Sequence, residues 1–232
     1  MRHFAGPTGR SFSLALTLGI ALVLAGCGAA EQLATNPLGP CGDDARAAGG
    51  FVELEQLLPR RLGAGGAAPD RVDSGRSCSD AALGTLKQHG VTEMRFAGAT
   101  WNGASASEGT VIAVLATPGW VPALEEAWVE EFYEAGARAA KKTDNVETSR
   151  PGFGEVGEVF WLDTINDLSF QSVVTWQDEG LTHVVIVATD VAPLKDRATH
   201  AAAVEAAIFV ASGLEPSSSP GCACASAPPP SG

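Results

Sequence analysis

The sequence lacks the short motifs by which most catalytic and nucleotide-binding sites are recognised. It contains no G-x-S-x-G, no G-x-x-x-x-G-K-[ST], no H-E-x-x-H and no G-x-G-x-x-G after a predicted strand. Histidine is also scarce, and His89, His183 and His200 fall in three different predicted elements. We therefore predict no catalytic residue, no metal site and no cofactor.

Positive charge is scarce as well. Four lysines and eleven arginines stand against 27 acidic residues, which gives a net charge of -12. Without the first 26 residues, which hold two arginines and no acid, the net charge becomes -14. A surface this acidic repels phosphate groups, so we predict no nucleic-acid partner and no polybasic contact with anionic lipid.

The N-terminus has the organisation of an export signal. Arg2, His3 and Arg10 form a basic head, and residues 11–24 (SFSLALTLGIALVL) form an uncharged apolar run. As a helix, this run would reach about 21 Å, which is shorter than the hydrocarbon core of about 30 Å. A permanent membrane span is therefore the weaker interpretation.

The apolar run ends at Leu24-Ala25-Gly26-Cys27, which resembles the lipobox of bacterial lipoprotein precursors. The resemblance implies that residues 1–26 are a signal peptide and that Cys27 carries acyl chains such as palmitate. Those chains would anchor the protein in the bilayer on the extracytoplasmic side of the cell envelope. Gly28 after the anchor implies the outer membrane if the host is diderm. The alternative is an ordinary secretory signal with an incidental cysteine.

Composition divides the rest of the chain into three parts. Residues 27–40 contain prolines and glycines without a sustained period, which predicts a lipidated cysteine followed by a flexible tether. Residues 41–213 predict a single α+β domain, and residues 214–232 predict a disordered tail rich in Pro and Ser. The tether would keep the domain within about 20 Å of the bilayer.

Four further cysteines predict disulfides, because an exported protein folds in an oxidising compartment. Three pairings are open, and we favour Cys41 with Cys78 because both flank the first part of the domain. Cys222 and Cys224 are a possible second pair within the tail. An interchain bridge, or a redox or soft-metal role for the tail cysteines, stays open as an alternative.

Apolar periodicity predicts five strands and several helices. The predicted strands are 91–101, 109–116, 158–165, 170–177 and 181–191, and the predicted helices are 51–58, 79–89, 122–142 and 196–212. Short connections between strands indicate antiparallel pairing. We therefore expect an α+β fold in which two principal helices cover one face of a single antiparallel sheet of five or six strands.

Two functional classes remain open for such a domain. The first is noncatalytic binding of an envelope protein or a small ligand, with the charged loop Asp70, Arg71, Asp73 and Arg76 as a candidate ligand site. The second is a surface hydrolase or redox enzyme whose residues converge only in the fold. A pocket that gathers His183 or His89 with two carboxylates would favour the enzyme. The five tryptophans are explained more simply by core packing than by ligand binding.

Overall fold

One antiparallel sheet organises the chain. A computed structural model describes residues 39–63, 66–105, 108–120, 123–141, 145–165, 169–191 and 196–214. Across these ranges eight strands pair in the order β1-β2-β3-β4-β8-β7-β6-β5. The strands are β1 (Ala45–Ala47), β2 (Arg71–Ser77), β3 (Met94–Asn102), β4 (Gly109–Ala116), β5 (Val146–Ser149), β6 (Phe160–Ile165), β7 (Ser169–Asp178) and β8 (Leu181–Asp190).

The chain is α+β overall, but the expected sheet of five or six strands is wrong. The five predicted strands are present, and β1, β2 and β5 add to them. Two of the added strands have only three and four residues and lie at the two sheet edges. Sequences this short carry too little alternation for a period of two to be recognised.

Strand β2 was missed for a different reason, because Val72 is the only large apolar residue of its sequence, RVDSGRS. It pairs with β1 on one side and with β3 on the other, so the segment predicted as a charged loop is a strand. Asp73, Ser74, Arg76 and Ser77 are all buried there. Burial of the larger polar groups is tolerated because Asp73, Ser74 and Arg76 form hydrogen bonds within the fold.

Four α-helices occur in the described ranges. They are α1 (Val52–Glu55), α2 (Asp80–Leu83), α3 (Glu126–Lys141) and α4 (Arg197–Ala211), with 3-10 turns at Gly84–His89, Pro118–Trp120 and Gly154–Val156. The predicted cap of α2 is confirmed, since the Ser79 hydroxyl accepts the amide of Ala82 at 3.1 Å. Of these helices, none is long and apolar enough to cross a bilayer.

The helices cover both faces of the sheet, so the expectation of one covered face is wrong. Helices α2 and α3 enclose a first core, and α1 and α4 enclose a second. Successive residues of a strand point to opposite faces, and β4 is apolar at both sets of positions. Val111, Ala113 and Leu115 enter the first core, whereas Ile112 and Val114 enter the second. Each face therefore needs its own helical layer.

In the predicted helix 122–142 the apolar spacing predicts a buried stripe of Leu124, Trp128, Phe132, Ala135 and Ala139, and helix α3 is rotated relative to it. Leu124 and Phe132 are buried as expected, but Ala135 and Ala139 are exposed. Val129 and Tyr133 face the core instead, because they bury more apolar surface than alanine does. For α4 the expected stripe is confirmed at Val204 and Ile208, whereas Ala201 and Ala211 are only half-buried.

The predicted disulfide between Cys41 and Cys78 is present, with the two Cα atoms 5.6 Å apart. It joins the chain just before β1 to the end of β2. Arg76 holds the same entry segment by donating to the carbonyl of Gly39 at 2.8 Å and to that of Pro40 at 3.2 Å. The start of the described chain is thus fixed against β2.

Replacing both Cys41 and Cys78 by alanine should lower the free energy of unfolding by about 4 kcal/mol, because the bridge closes a loop of about 38 residues in the unfolded chain. Urea unfolding followed by tryptophan fluorescence measures the change. Wild-type protein with the bridge reduced is the matched control and should lose a similar amount. An unchanged free energy in both would contradict a stabilising bridge.

Candidate functional site

The charged segment proposed from the sequence is part of the scaffold. Asp73 accepts two hydrogen bonds from Arg46, at 2.7 and 2.6 Å, and pairs with Arg71 at 2.6 Å. Asp73 is 6% exposed. Since both guanidinium groups are needed to satisfy this buried carboxylate, they are not available to a ligand.

The other two residues of that segment also have structural partners. Asp70 accepts the amide of Asn102 at 2.7 Å, and Arg76 is occupied by the entry segment. The four side chains of the predicted ligand loop therefore hold β2 to its neighbours and do not converge on a shared cavity. Cys27, Cys222 and Cys224 lie outside the described residues.

A cleft of about 250 Å³ lies over the second face of the sheet, where α4 ends. It is bounded by the C-terminal end of α4, the 3-10 turn that precedes β6, and the β7–β8 hairpin. The residues that line it are Glu155, Val156, Trp176, Gln177, Asp178, His183, Ala211, Ser212 and Leu214. Its two aromatic residues, Trp176 and His183, lie within two of the predicted strands, and no sequence motif indicates that they share a site.

The hairpin brings these aromatic residues together. Trp176 and His183 are opposite each other in the register of β7 and β8. Their rings stack with centroids 5.1 Å apart and an angle of 7° between the ring planes. Trp176 is only 4% exposed, whereas His183 is half-buried. The imidazole is therefore the more accessible of the two rings that line the cleft.

The hairpin turn also places one carboxylate. Glu179 and Gly180 form a two-residue loop in which both φ angles are positive, at 48° and 82°. This is the backbone of a type I′ turn, which matches the twist of the flanking strands. Asp178 stands directly before it, on the same face as Trp176. Glu155 reaches the cleft from the 3-10 turn Gly154–Val156.

The charged residues that line the cleft are all acidic. Burial lowers the pKa of His183, and the nearby carboxylate of Asp178 offsets this only in part. The imidazole is thus neutral at pH 7. The C-terminal end of α4 adds partial negative charge through the aligned peptide dipoles of the helix. Two carboxylates, a helix C-terminus and a neutral histidine leave the cleft negative.

The turn beside the cleft contains a glycine motif that the sequence analysis passed over. Gly152 to Gly157 has the spacing G-x-G-x-x-G, and it follows strand β5. It leads into a 3-10 turn of three residues and then into β6, which is antiparallel to β5. A dinucleotide site needs a parallel strand–turn–helix unit, with the pyrophosphate at the helix N-terminus. This segment provides none.

A second polar cluster lies under the start of α4, around His200. Its Nε2 is 2.8 Å from the Ser172 hydroxyl, and its Nδ1 is 2.9 Å from the Thr189 hydroxyl. Ser172 also donates to Asp163, whose other oxygen lies 3.5 Å from Arg197. His200 is buried, and burial lowers its pKa, so its ring is neutral.

The proton positions in this cluster oppose a serine-hydrolase role. The carboxylate of Asp163 can only accept, so Ser172 gives it its single proton and accepts from Nε2 of His200. A general base must instead accept the proton of the serine. Ser172 is also fully buried, and the adjoining cavity of about 20 Å³ has room for about one water molecule. The cluster fixes α4 to β7 and β8.

No group of three or more His, Cys, Asp or Glu residues in the described ranges is arranged to hold a metal ion. The chain matches no protein-family model, no curated protein and no solved structure. Interpretation of its function therefore depends on the geometry of the cleft and on the N-terminal sequence.

The His200 cluster should make stability depend on pH. Because the fold lowers the pKa of His200, the unfolded chain binds the proton more readily than the folded protein does. The stability present above about pH 6.5 is then lost as the pH falls through the lowered pKa. His200→Gln should cost about 1–3 kcal/mol at pH 7.5 and should reduce the loss of stability between pH 7.5 and 5.5, leaving the part that the lowered pKa of His183 contributes.

Urea unfolding at several pH values measures both effects. Ser172→Ala is the matched control, because it removes one hydrogen bond of the cluster but keeps the titrating ring and most of the slope. If His200→Gln keeps the wild-type slope, the cluster does not carry the pH dependence.

Proposed function

We propose that this protein is a lipid-anchored lipoprotein of the bacterial cell envelope, whose domain binds a small ligand noncatalytically in the cleft at the end of α4. The single observation that carries the binding role is the cleft itself, with its stacked Trp176 and His183 and the carboxylates of Glu155 and Asp178. The anchor is proposed from Cys27 and the resemblance of its surroundings to a lipobox.

The disulfide supports an extracytoplasmic location. Structural disulfides persist in oxidising compartments and are rare in the cytosol. Cys41, the first cysteine of the Cys41–Cys78 bridge, lies fourteen residues after Cys27 and close to the point where the described chain begins. Export before folding, as the N-terminal signal implies, would let this bridge form.

The geometry also supports binding in the presence of the anchor. The entry segment at Gly39 and Pro40 is held by Arg76 of β2, whereas the cleft lies over β7 and β8. Two strands separate β2 from β8, and three separate it from β7, which is about 14–19 Å at the usual strand spacing. The cleft therefore lies well away from the attachment point of the tether.

The enzyme alternative has one observation in its favour. The cleft does bring His183 together with two carboxylates, as a catalytic site would require. However, Ser212, the hydroxyl that lines the same cleft, donates to the carbonyl of Phe209 at 3.0 Å and not to the imidazole. Across the described chain, His183 has no hydrogen-bonded group to orient it, which a general base normally has. Binding is thus the better-supported function.

Cys27→Ser should abolish incorporation of an alkyne-labelled fatty acid, because the serine hydroxyl cannot replace the thiol in the acylation reaction. The variant should remain folded, since the mutated position precedes the domain. Metabolic labelling followed by gel detection measures lipidation, and circular dichroism of the purified variant measures folding.

Cys222→Ser is the matched control, because it removes a different cysteine from the same chain and should leave labelling unchanged. Continued labelling of Cys27→Ser would refute the proposed anchor. It would leave the ligand-binding role of the cleft untouched.

A further inference from the structure

We infer that the cleft selects a small organic cation, a primary amine or a related ammonium group attached to an apolar body. This inference rests on the proposed binding role of the cleft and adds the chemical class of its ligand. It follows from the charge of the rim, the wall that the aromatic pair provides, and the size of the space.

The rim supplies negative charge without a competing cation. Glu155 and Asp178 are exposed and line the cleft, Glu155 from the turn before β6 and Asp178 from the β7–β8 hairpin. Among the residues that line the cleft there is no Lys or Arg. Throughout the described ranges, neither carboxylate has a hydrogen-bond or ion-pair partner. Both are therefore free to pair with a charge from outside.

The end of α4 favours the same sign of charge. Ala211, Ser212 and Leu214 bring the C-terminal end of the helix to the cleft. Helix C-termini stabilise cations and repel anions. A ligand with a carboxylate or phosphate would thus meet two side-chain charges and a helix end of its own sign, whereas an ammonium group would be attracted by all three.

The wall fits an apolar body. The imidazole of His183 stacks on the indole of Trp176, and both rings line the cleft together with Val156 and Leu214. A neutral imidazole does not repel a cation, and these side chains offer apolar and aromatic contacts to a ring or a short alkyl chain. At about 250 Å³ the cleft is smaller than most pockets for drug-sized molecules, so the ligand is small.

Three probes with the same ring and different charge test this inference: benzylammonium, benzyl alcohol and benzoate. The mature full-length protein, labelled with 5-fluorotryptophan, is titrated with each probe while its 19F spectrum is recorded. The Trp176 signal is assigned from a Trp176→Phe variant. Benzylammonium should shift this signal to saturation, benzyl alcohol should bind more weakly, and benzoate should leave it unchanged.

Charge-removing variants locate the binding. Asp178→Asn and Glu155→Gln should each weaken benzylammonium binding about two- to fivefold, the range expected for exposed charge pairs. Glu205→Gln is the matched control, because Glu205 is exposed on α4 and does not line the cleft. It should leave binding unchanged. An equal loss in Glu205→Gln would mean that only the net charge of the protein matters, and would overturn the inference.

The outcomes separate this inference from the proposed function. If all three probes bind equally well, the cleft is a binding site but does not select cations, and the inference alone fails. If none of the probes shifts the Trp176 signal in the folded protein, both the inference and the binding role fail. Fatty-acid labelling of Cys27 is independent of either result.

Discussion

The fold depends on one constraint, which is that the central strands are apolar on both faces. β4 and β8 contribute alternate residues to two separate cores, and water must be excluded from each. A helical layer on each face is the consequence, with α3 on the first and α4 on the second. The cleft exists because α4 ends at Ala211, before it reaches the end of the β7–β8 hairpin.

Polar contacts fix the position of the helices and edge strands. Apolar burial alone would allow a helix to shift along the sheet. On the second face, His200 joins α4 to hydroxyls of β7 and β8. At the far side of the sheet, Asp73 ties β2 to β1 through Arg46. Hydrogen bonds are directional, and leaving a polar group unpaired in the low-dielectric interior costs free energy of folding. Such contacts fix register and helix position more sharply than apolar packing does.

The sequence predicted the elements with strong periodicity and missed those that depend on their neighbours. β4 was predicted with the bounds that the structure has, and its sequence, GTVIAVLA, is apolar on both faces of the strand. That observation already implied two helical layers, but the expectation of a single covered face did not use it. β2 could not be predicted from its own residues, because its buried Asp73 and Arg76 are paired with Arg46 and with the Gly39 and Pro40 carbonyls, which come from elsewhere in the chain.

Part of the cleft could also be predicted from the sequence. A two-residue turn at Glu179 and Gly180 places Trp176 opposite His183 and puts Asp178 on the same face, and this follows from hairpin register alone. The contributions of Glu155 and of the end of α4 were not predictable, because they come from elements that meet only in the fold. The charged segment around Asp73 was predicted to be the ligand site instead. A run of charged residues has the same sequence pattern whether its side chains are solvated or paired within the protein.

Helix α4 closes the second face around His200 and leaves the face open at His183. Mild treatment of the native protein with diethylpyrocarbonate, followed by mass mapping of modified histidines, tests this arrangement. We expect His183 to be modified in the folded protein and His200 to be modified only after unfolding. Modification of His200 as fast as that of His183 in the native protein would contradict it.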